Sequence, residues 1–318
     1  MTEVFAIPLR TRFRGITVRE GLLLRGDAGW GEFSPFLEYD ARTSAPWLEA
    51  AREAADRGWP APIRSSVPVN VTVPACSPEL AANIVRSSAG CRTAKVKVAE
   101  SGQSVAEDRA RLEAVRDAIG ADGLIRVDAN GSWSVDEAVS WIPLLDKAAG
   151  GLEYVEQPCA SVEELASVRR RVEVPIAADE SIRRAADPYR VRDLEAADIA
   201  VLKVQPLGGV RACLRIAAEI EMPVVVSSAV ESSIGIAAGV ALAAALPSLP
   251  HACGLATVQL LADDVVADPL LPVDGYLPVR RPEVDVAALE RVRAGEERRT
   301  HWERRLAEVD AALQARRP

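Results

Sequence analysis

The chain has 318 residues, 49% hydrophobic and 26% charged, a composition that excludes a disordered or fibrous protein and a length that suggests about two domains. Lys+Arg 38 against Asp+Glu 46 leaves a formal charge of −8, which supplies no broad basic field for nucleic acid or anionic lipid; a small molecule is the expected partner. Cys76, Cys91, Cys159, Cys213 and Cys253 are odd in number and form no CxxC pair, so reduced thiols in a cytoplasmic protein are expected rather than a disulfide framework.

Residues 1–66 read as a small α+β region. The opening MTEVFAIPLRTRFR lacks an apolar stretch long enough for a signal peptide, and export is not expected. ITVREGLLLR and GWGEFSPF are β-rich runs joined at Gly26-Asp27-Ala28-Gly29 in the manner of a hairpin, and a helix is predicted from about Ser44 to Asp56.

Residues 67–262 repeat one unit. Short β-branched runs recur at VNVTV (69–73), AKVKV (94–98), LIRVD (124–128), LEYVE (152–156), PIAAD (175–179), DIAVLK (198–203), PVVVS (223–227) and, more weakly, HACGL (251–255). Such near-continuous apolar runs suit strands covered on both faces, as in a parallel sheet. Amphipathic segments of helical length lie between them. Three open on the same capping signal, Ser104-xx-Glu107, Ser134-xx-Glu137 and Ser161-xx-Glu164, and Ser77-Pro78 marks another helix start. Alternating units of this kind build an open doubly wound sheet or a closed barrel; eight strands without a nucleotide-binding glycine fingerprint favour the barrel. The apolar run from Ile234 to Leu246 ends at Pro247, short of the ~20 residues of a membrane span, so no membrane association is expected and Gly235-xxx-Gly239 reads as close helix packing. Residues 263–318 are proline-punctuated and end in a charged helix whose Trp302, Leu306, Val309 and Leu313 share one face, a docking stripe.

The chemistry available is narrow. His251 and His301 are the only histidines, which leaves little material for an HExxH zinc site or a Ser-His-Asp triad. P-loop, GxGxxG and CxxC signatures are absent. Acid–base work therefore falls on lysine or carboxylate. At the carboxyl ends of the predicted strands stand Lys95 and Lys97 (second), Asp128 (third), Glu156 (fourth), Asp179 (fifth) and Lys203 (sixth), each about one strand-plus-helix unit from the last. Any one alone is ordinarily a loop salt bridge or a cap. Delivered together to one rim of a buried sheet they would be costly to desolvate without a function. Three converging carboxylates repel one another unless a hard cation sits among them, and Mg²⁺ is the expected ion, with Mn²⁺ able to replace it. Lysines on opposite sides of that ion would be drawn toward neutrality, where one could act as a base.

The motifs TAKVKV (93–98), RVDANGSW (126–133), EYVEQPC (153–159), AADES (177–181) and VLKVQPLGG (201–209) make the sequence resemble the enolase superfamily, specifically its muconate-lactonizing branch, over nearly the whole chain. FRGITVREG (13–21) and GWGEFSPF (29–36) point within it to the members that form 2-succinylbenzoate. The resemblance implies a modified TIM-type (β/α)7β barrel, residues 67–262, under an α+β capping domain made from residues 1–66 and the returning segment 263–318. It implies Asp128, Glu156 and Asp179 as Mg²⁺ ligands, Lys97 as the proton-transferring base, Lys203 as the cation on the opposite face and Lys95 as the residue tuning Lys97. Asn130, Ser227 and Ser228 would line the pocket of a small carboxylate substrate, and Glu180 would stand behind the ligands. The implied reaction is the syn dehydration of 2-succinyl-6-hydroxy-2,4-cyclohexadiene-1-carboxylate through an enediolate, in menaquinone synthesis. Two alternatives stay open: an N-acylamino acid racemase or dipeptide epimerase using both lysines as bases, and a non-catalytic, metal-stabilised scaffold, whose usual mark would be a lost lysine or ligand. None is lost here.

Overall fold

The computed structural model describes residues 2–184 and 187–315. Its amino-terminal part is a three-stranded antiparallel sheet in the order β1 (Thr2–Phe13), β2 (Ile16–Gly26), β3 (Gly29–Phe33). The β2–β3 hairpin forms where the sequence predicts it, with Gly26 facing Gly29. The first strand is not among the predicted elements. Pro8, which cannot donate to a ladder, interrupts its pattern, and the register with β2 shifts between Pro8 and Phe13. Beyond that break the chain turns back at Arg14 and Gly15, both in the left-handed region (φ 50° and 77°).

A helix at Ala41–Arg52 follows, starting earlier than predicted because Asp40 caps it: the Thr43 amide donates to Asp40 Oδ1 at 2.7 Å. The last helix, Glu296–Gln314, returns to this unit. Trp302, Val309 and Leu313 are buried in one cluster with Phe33, Trp47 and Leu48, and Leu306 packs at its edge. Trp302 meets Phe33 edge-on at 6.0 Å between ring centres, and its indole N–H donates to Glu20 at 3.1 Å. The predicted docking stripe is thus a packing face.

β4 (Ser66–Pro68) leads into seven parallel strands: β5 (Val71–Val73), β6 (Thr93–Lys97), β7 (Leu124–Asp128), β8 (Val155–Glu156), β9 (Ile176–Ala178), β10 (Ile199–Lys203) and β11 (Val224–Ser227). Spatial order equals chain order, as a run of β-helix-β crossovers requires. The weak eighth run contributes no full strand. Instead Cys253 bridges Val69 and Gly254 bridges Ser227, so two residues join the sheet's edges into a barrel. β12 (Tyr276–Pro278) pairs antiparallel with β4. The outward apolar side chains of the strands pack against the helices in one large cluster. The three predicted capping boxes all form, each with serine and glutamate satisfying the other's first-turn amide. The helix Ser233–Ala245 is almost wholly buried, and a Cβ on Gly239 would lie 2.5 Å from a Leu255 methyl, so this glycine is there for close packing. Among the described residues no helix is long and apolar enough to cross a membrane.

A buried polar joint fixes the antiparallel unit to the barrel. Glu32 accepts from the Ser232 amide (3.1 Å), the Ser232 hydroxyl (2.5 Å), the Gly235 amide (3.1 Å) and the Ser34 hydroxyl (2.6 Å). Arg19 donates to the Val230 carbonyl at 3.1 Å and to Ser34. These bonds hold the Arg14–Gly15 turn and the loop after β3 over the carboxyl ends of the barrel strands. Truncating Trp302→Ala empties a fully buried site and is expected to lower the unfolding free energy by about 3–5 kcal/mol, moving the urea midpoint down. An unchanged midpoint would mean that the last helix contributes nothing to the fold.

Candidate active site

Strand register assembles the charged row. Lys97 of β6 faces Asp128 of β7, and Asp128 faces Glu156 of β8, so three consecutive strands present one ionisable side chain each at the same height. Asp179 follows the end of β9, and Lys203 ends β10 opposite Ser227 of β11. Because side chains alternate along a strand, Lys95 shares the inward face with Lys97 one layer deeper, opposite Arg126. Asp128 and Asp179 are 0% exposed and Glu156 1%; Lys95 and Lys203 are buried as well.

Every carboxylate in the row is held by an amine. Lys95 Nζ bridges Asp128 Oδ2 at 2.9 Å and Glu156 Oε1 at 2.7 Å. Lys97 Nζ donates to Asp128 Oδ2 at 2.6 Å and to Asn130 Oδ1 at 2.7 Å. Lys203 Nζ donates to Asp179 Oδ2 at 2.6 Å. Asn130 also gives its amide N–H to Asp128 Oδ1 and its side-chain N–H to Glu180 Oε1, at 3.0 and 3.2 Å.

The electrostatics differ from group to group. Burial pulls the Lys97 ammonium below its ordinary value; Asp128 pulls it up and the Lys95 ammonium pulls it down again. For Lys95 burial is outweighed by Asp128 and Glu156, which keep it firmly charged. The same amines hold Asp128 far below the ordinary carboxylate range despite burial, and Arg183 and Lys203 do so for Asp179. Glu156 is the exception. Burial, then the charge of Asp128 and that of Asp179, push it up to about 7, against the opposing pull of Lys95 and Lys203.

Among the described residues no three His, Cys, Asp or Glu side chains stand gathered in metal-binding geometry; the acids here turn to the amines. The donor chemistry nevertheless fits a hard divalent ion. All three acids offer oxygen only, they stand on adjacent strands, and the raised Glu156 marks where positive charge is in short supply.

The pocket over the row is lined from below by Thr72, Lys95, Lys97, Asn130 and Lys203, and at its side by Ser227, Ser228, Gly254 and Thr257. Ser228 spends its hydroxyl on the barrel-closing segment, bonding the Gly254 carbonyl at 2.6 Å and the Thr257 hydroxyl at 2.9 Å. Phe13, Arg14, Phe36 and Trp47 roof the pocket from the antiparallel unit. None of these four was a site candidate on sequence, and neither was Arg183, which also lines the pocket and pairs with Asp179 at 2.8 Å. Arg183 carried a readable signal, since it lies four residues after Asp179 at a helix start, a spacing at which side chains meet. Phe13, Arg14 and Phe36 lie in the capping loops near residues 8–20 and 34–40, which the resemblance implies enclose the far half of the substrate, but nothing in the sequence singled out these side chains or Trp47, because their placement depends on how the two units dock.

Raising a buried acid's pKa stabilises the folded state at low pH. The contribution of Glu156 is present below its ordinary value of 4.5 and is lost as pH rises through about 7. In chelator-treated protein Glu156→Gln should therefore become more stable than the parent above pH 7, by on the order of 3 kcal/mol, the two converging below about pH 4.5. Parallel stability curves across that range would contradict this electrostatic picture.

Comparison with known proteins agrees with the fold. Residues 79–283 match the family model described as "Enolase C-terminal domain-like", and residues 4–55 match "Enolase N-terminal domain-like". The chain is 68% identical over 310 residues to an o-succinylbenzoate synthase of Thermobifida fusca, covering 98% of this chain and 96% of that one. It is 56% identical to an o-succinylbenzoate synthase of Mycolicibacterium smegmatis, covering 98% and 95%. Among solved structures it resembles the muconate lactonizing enzyme of Pseudomonas fluorescens (TM-score 0.79, 22% identity, 92% and 98% covered) and the L-Ala-D/L-Glu epimerase of Bacillus subtilis (TM-score 0.75, 23% identity, 89% and 96% covered), likenesses of fold. Enzymes of this superfamily use a divalent metal. The chain belongs to the enolase superfamily and, within it, to the o-succinylbenzoate synthases.

Proposed function

We propose that the buried row Lys97–Asp128–Glu156–Asp179–Lys203 is the centre at which this chain carries out its family's reaction. That reaction is the dehydration of 2-succinyl-6-hydroxy-2,4-cyclohexadiene-1-carboxylate to 2-succinylbenzoate, a carbon–oxygen lyase step of menaquinone synthesis. Its difficulty is the removal of a proton beside a carboxylate, which places a second negative charge on the acid. In our reading Asp128, Glu156 and Asp179 hold Mg²⁺, which Mn²⁺ can replace and which supplies Lewis-acid stabilisation of the enediolate when bound.

The chain's own residues do the rest. Lys97, drawn below its ordinary pKa by burial and the Lys95 ammonium, is the base that takes the α-proton. It is the acid afterwards, returning that proton to the departing hydroxyl on the same face. Asn130, bonded to the Lys97 amine at 2.7 Å, orients it. Lys203, at the other end of the row and paired with Asp179 at 2.6 Å, is the cation that holds the developing charge. Ser227 and Ser228 form the side wall against which the ring lies. The observation that carries this reading is the placement of an amine at each end of one row of buried acids. The five cysteines are all free and four are buried, which supports a cytoplasmic location.

Loss of ultraviolet absorbance from the cyclohexadiene acid, with and without chelator, measures the reaction and its metal dependence. Lys97→Ala and Lys203→Ala should each lower the rate by roughly 10²–10⁴-fold or more. Full activity in either variant would overturn the assigned roles. The same two lysines also permit two-base racemisation; α-proton exchange of N-acyl amino acids in deuterium oxide, far faster than dehydration, would favour that activity instead.

A further inference from the structure

One cluster in the site is not used by the proposed reaction. Arg183 ends the short helix Glu180–Arg183, with its side chain 6% exposed and each guanidinium nitrogen given to a different partner. Nε donates to Asp179 Oδ1 at 2.8 Å, Nη2 to Glu180 Oε1, and Nη1 to the Tyr39 hydroxyl at 3.2 Å. Tyr39 belongs to the antiparallel unit and is buried. Its hydroxyl accepts a second bond, from Arg14 Nη2 at 3.0 Å, and Arg14 stacks 3.8 Å from the centre of the Phe36 ring above the substrate pocket. An unbroken set of contacts therefore runs from the Arg14–Gly15 turn through Tyr39 and Arg183 to one oxygen of Asp179. The other oxygen, Oδ2, receives the Lys203 amine.

We propose that Arg183 is a positioning residue that pins Oδ1 of Asp179 and so presents Oδ2 as the ligating oxygen, and that Tyr39 transmits occupancy of the roofed pocket to that carboxylate. The inference rests on the reading of Asp179 as a metal ligand. The planar, permanently charged fork suits this role, since three directed bonds fix its plane and the plane fixes the carboxylate. A lysine in its place keeps the charge and loses the plane. Charge alone would act in the opposite sense, because a cation beside Asp179 repels a metal ion, so the two roles of Arg183 predict metal affinities that move in different directions.

Mn²⁺ affinity, read by electron paramagnetic resonance titration of the free ion, separates them. Arg183→Lys is expected to bind Mn²⁺ about 10–100-fold more weakly than the parent, the range found when a partner of a metal ligand is lost. An affinity equal to the parent's, or an Arg183→Met protein that binds more tightly than the parent, would show a competing cation and overturn the positioning role. 2-Succinylbenzoate is expected to tighten Mn²⁺ binding by about fivefold or more in the parent, and Tyr39→Phe, which deletes one oxygen atom, to reduce that gain by about twofold or more. A full gain in Tyr39→Phe would overturn the transmission. This variant carries the test by itself if Arg183→Lys lacks the parent's circular dichroism. Failure of the parent to bind Mn²⁺ would overturn the metal reading on which the inference rests, a result distinct from any difference among variants.

Discussion

The structure depends on a balance of buried charge. Asp128, Glu156 and Asp179 are removed from water at the carboxyl ends of adjacent strands, where an unpaired carboxylate would be severely destabilised. Lys95, Lys97, Lys203 and Arg183 offset them at contacts of 2.6–2.9 Å. Glu156 has the weakest share of this compensation, since its contact with Lys95 is also claimed by Asp128. A row so arranged holds its anions ready for a cation and keeps the Lys97 amine less firmly protonated than that of Lys95.

The rest of the fold serves to keep that row in place. Parallel pairing sets the height of each side chain, so Lys97, Asp128 and Glu156 are level by register rather than by any local turn. Closure through Cys253 and Gly254 completes the wall, and Ser228 is locked to it. Deeper in the barrel the Arg126 guanidinium is satisfied by Glu153, the Tyr154 hydroxyl and the Ala252 carbonyl. Above the row, the Glu32 and Arg19 joint docks the antiparallel unit, which brings Phe13, Phe36 and Trp47 over the pocket and Tyr39 onto Arg183. In the proposed reading, chemistry and specificity are divided between two units that meet over a single space.

Much of this was legible in the sequence because the signals were local or periodic. The capping boxes at Ser104, Ser134 and Ser161 name their own partners three residues on, and the apolar runs mark the barrel strands one by one. Charges at the ends of successive runs could be placed on one rim as soon as the strands were taken as parallel. Boundaries were less legible: only Val155 and Glu156 of LEYVE pair as a strand, and HACGL supplies two bridging residues. β1 was not legible because Pro8 breaks its pattern, although its pairing with β2 and its bridges from Phe5 to Arg293 and from Leu9 to Leu261 hold it. Arg14, Phe36 and Tyr39 lie in the capping loops expected over the substrate, but their individual roles were illegible for a different reason. Their roles come from contacts across the joint between units, which no spacing within either unit encodes.

Anomalous scattering from crystals grown with Mn²⁺ and 2-succinylbenzoate tests the central claim most directly. One strong peak is expected, bound by an oxygen from each of Asp128, Glu156 and Asp179 at about 2.0–2.2 Å, with the Lys97 and Lys203 amines on opposite sides of the organic acid. A peak elsewhere, or one that leaves any of the three acids on its amine alone, would contradict it.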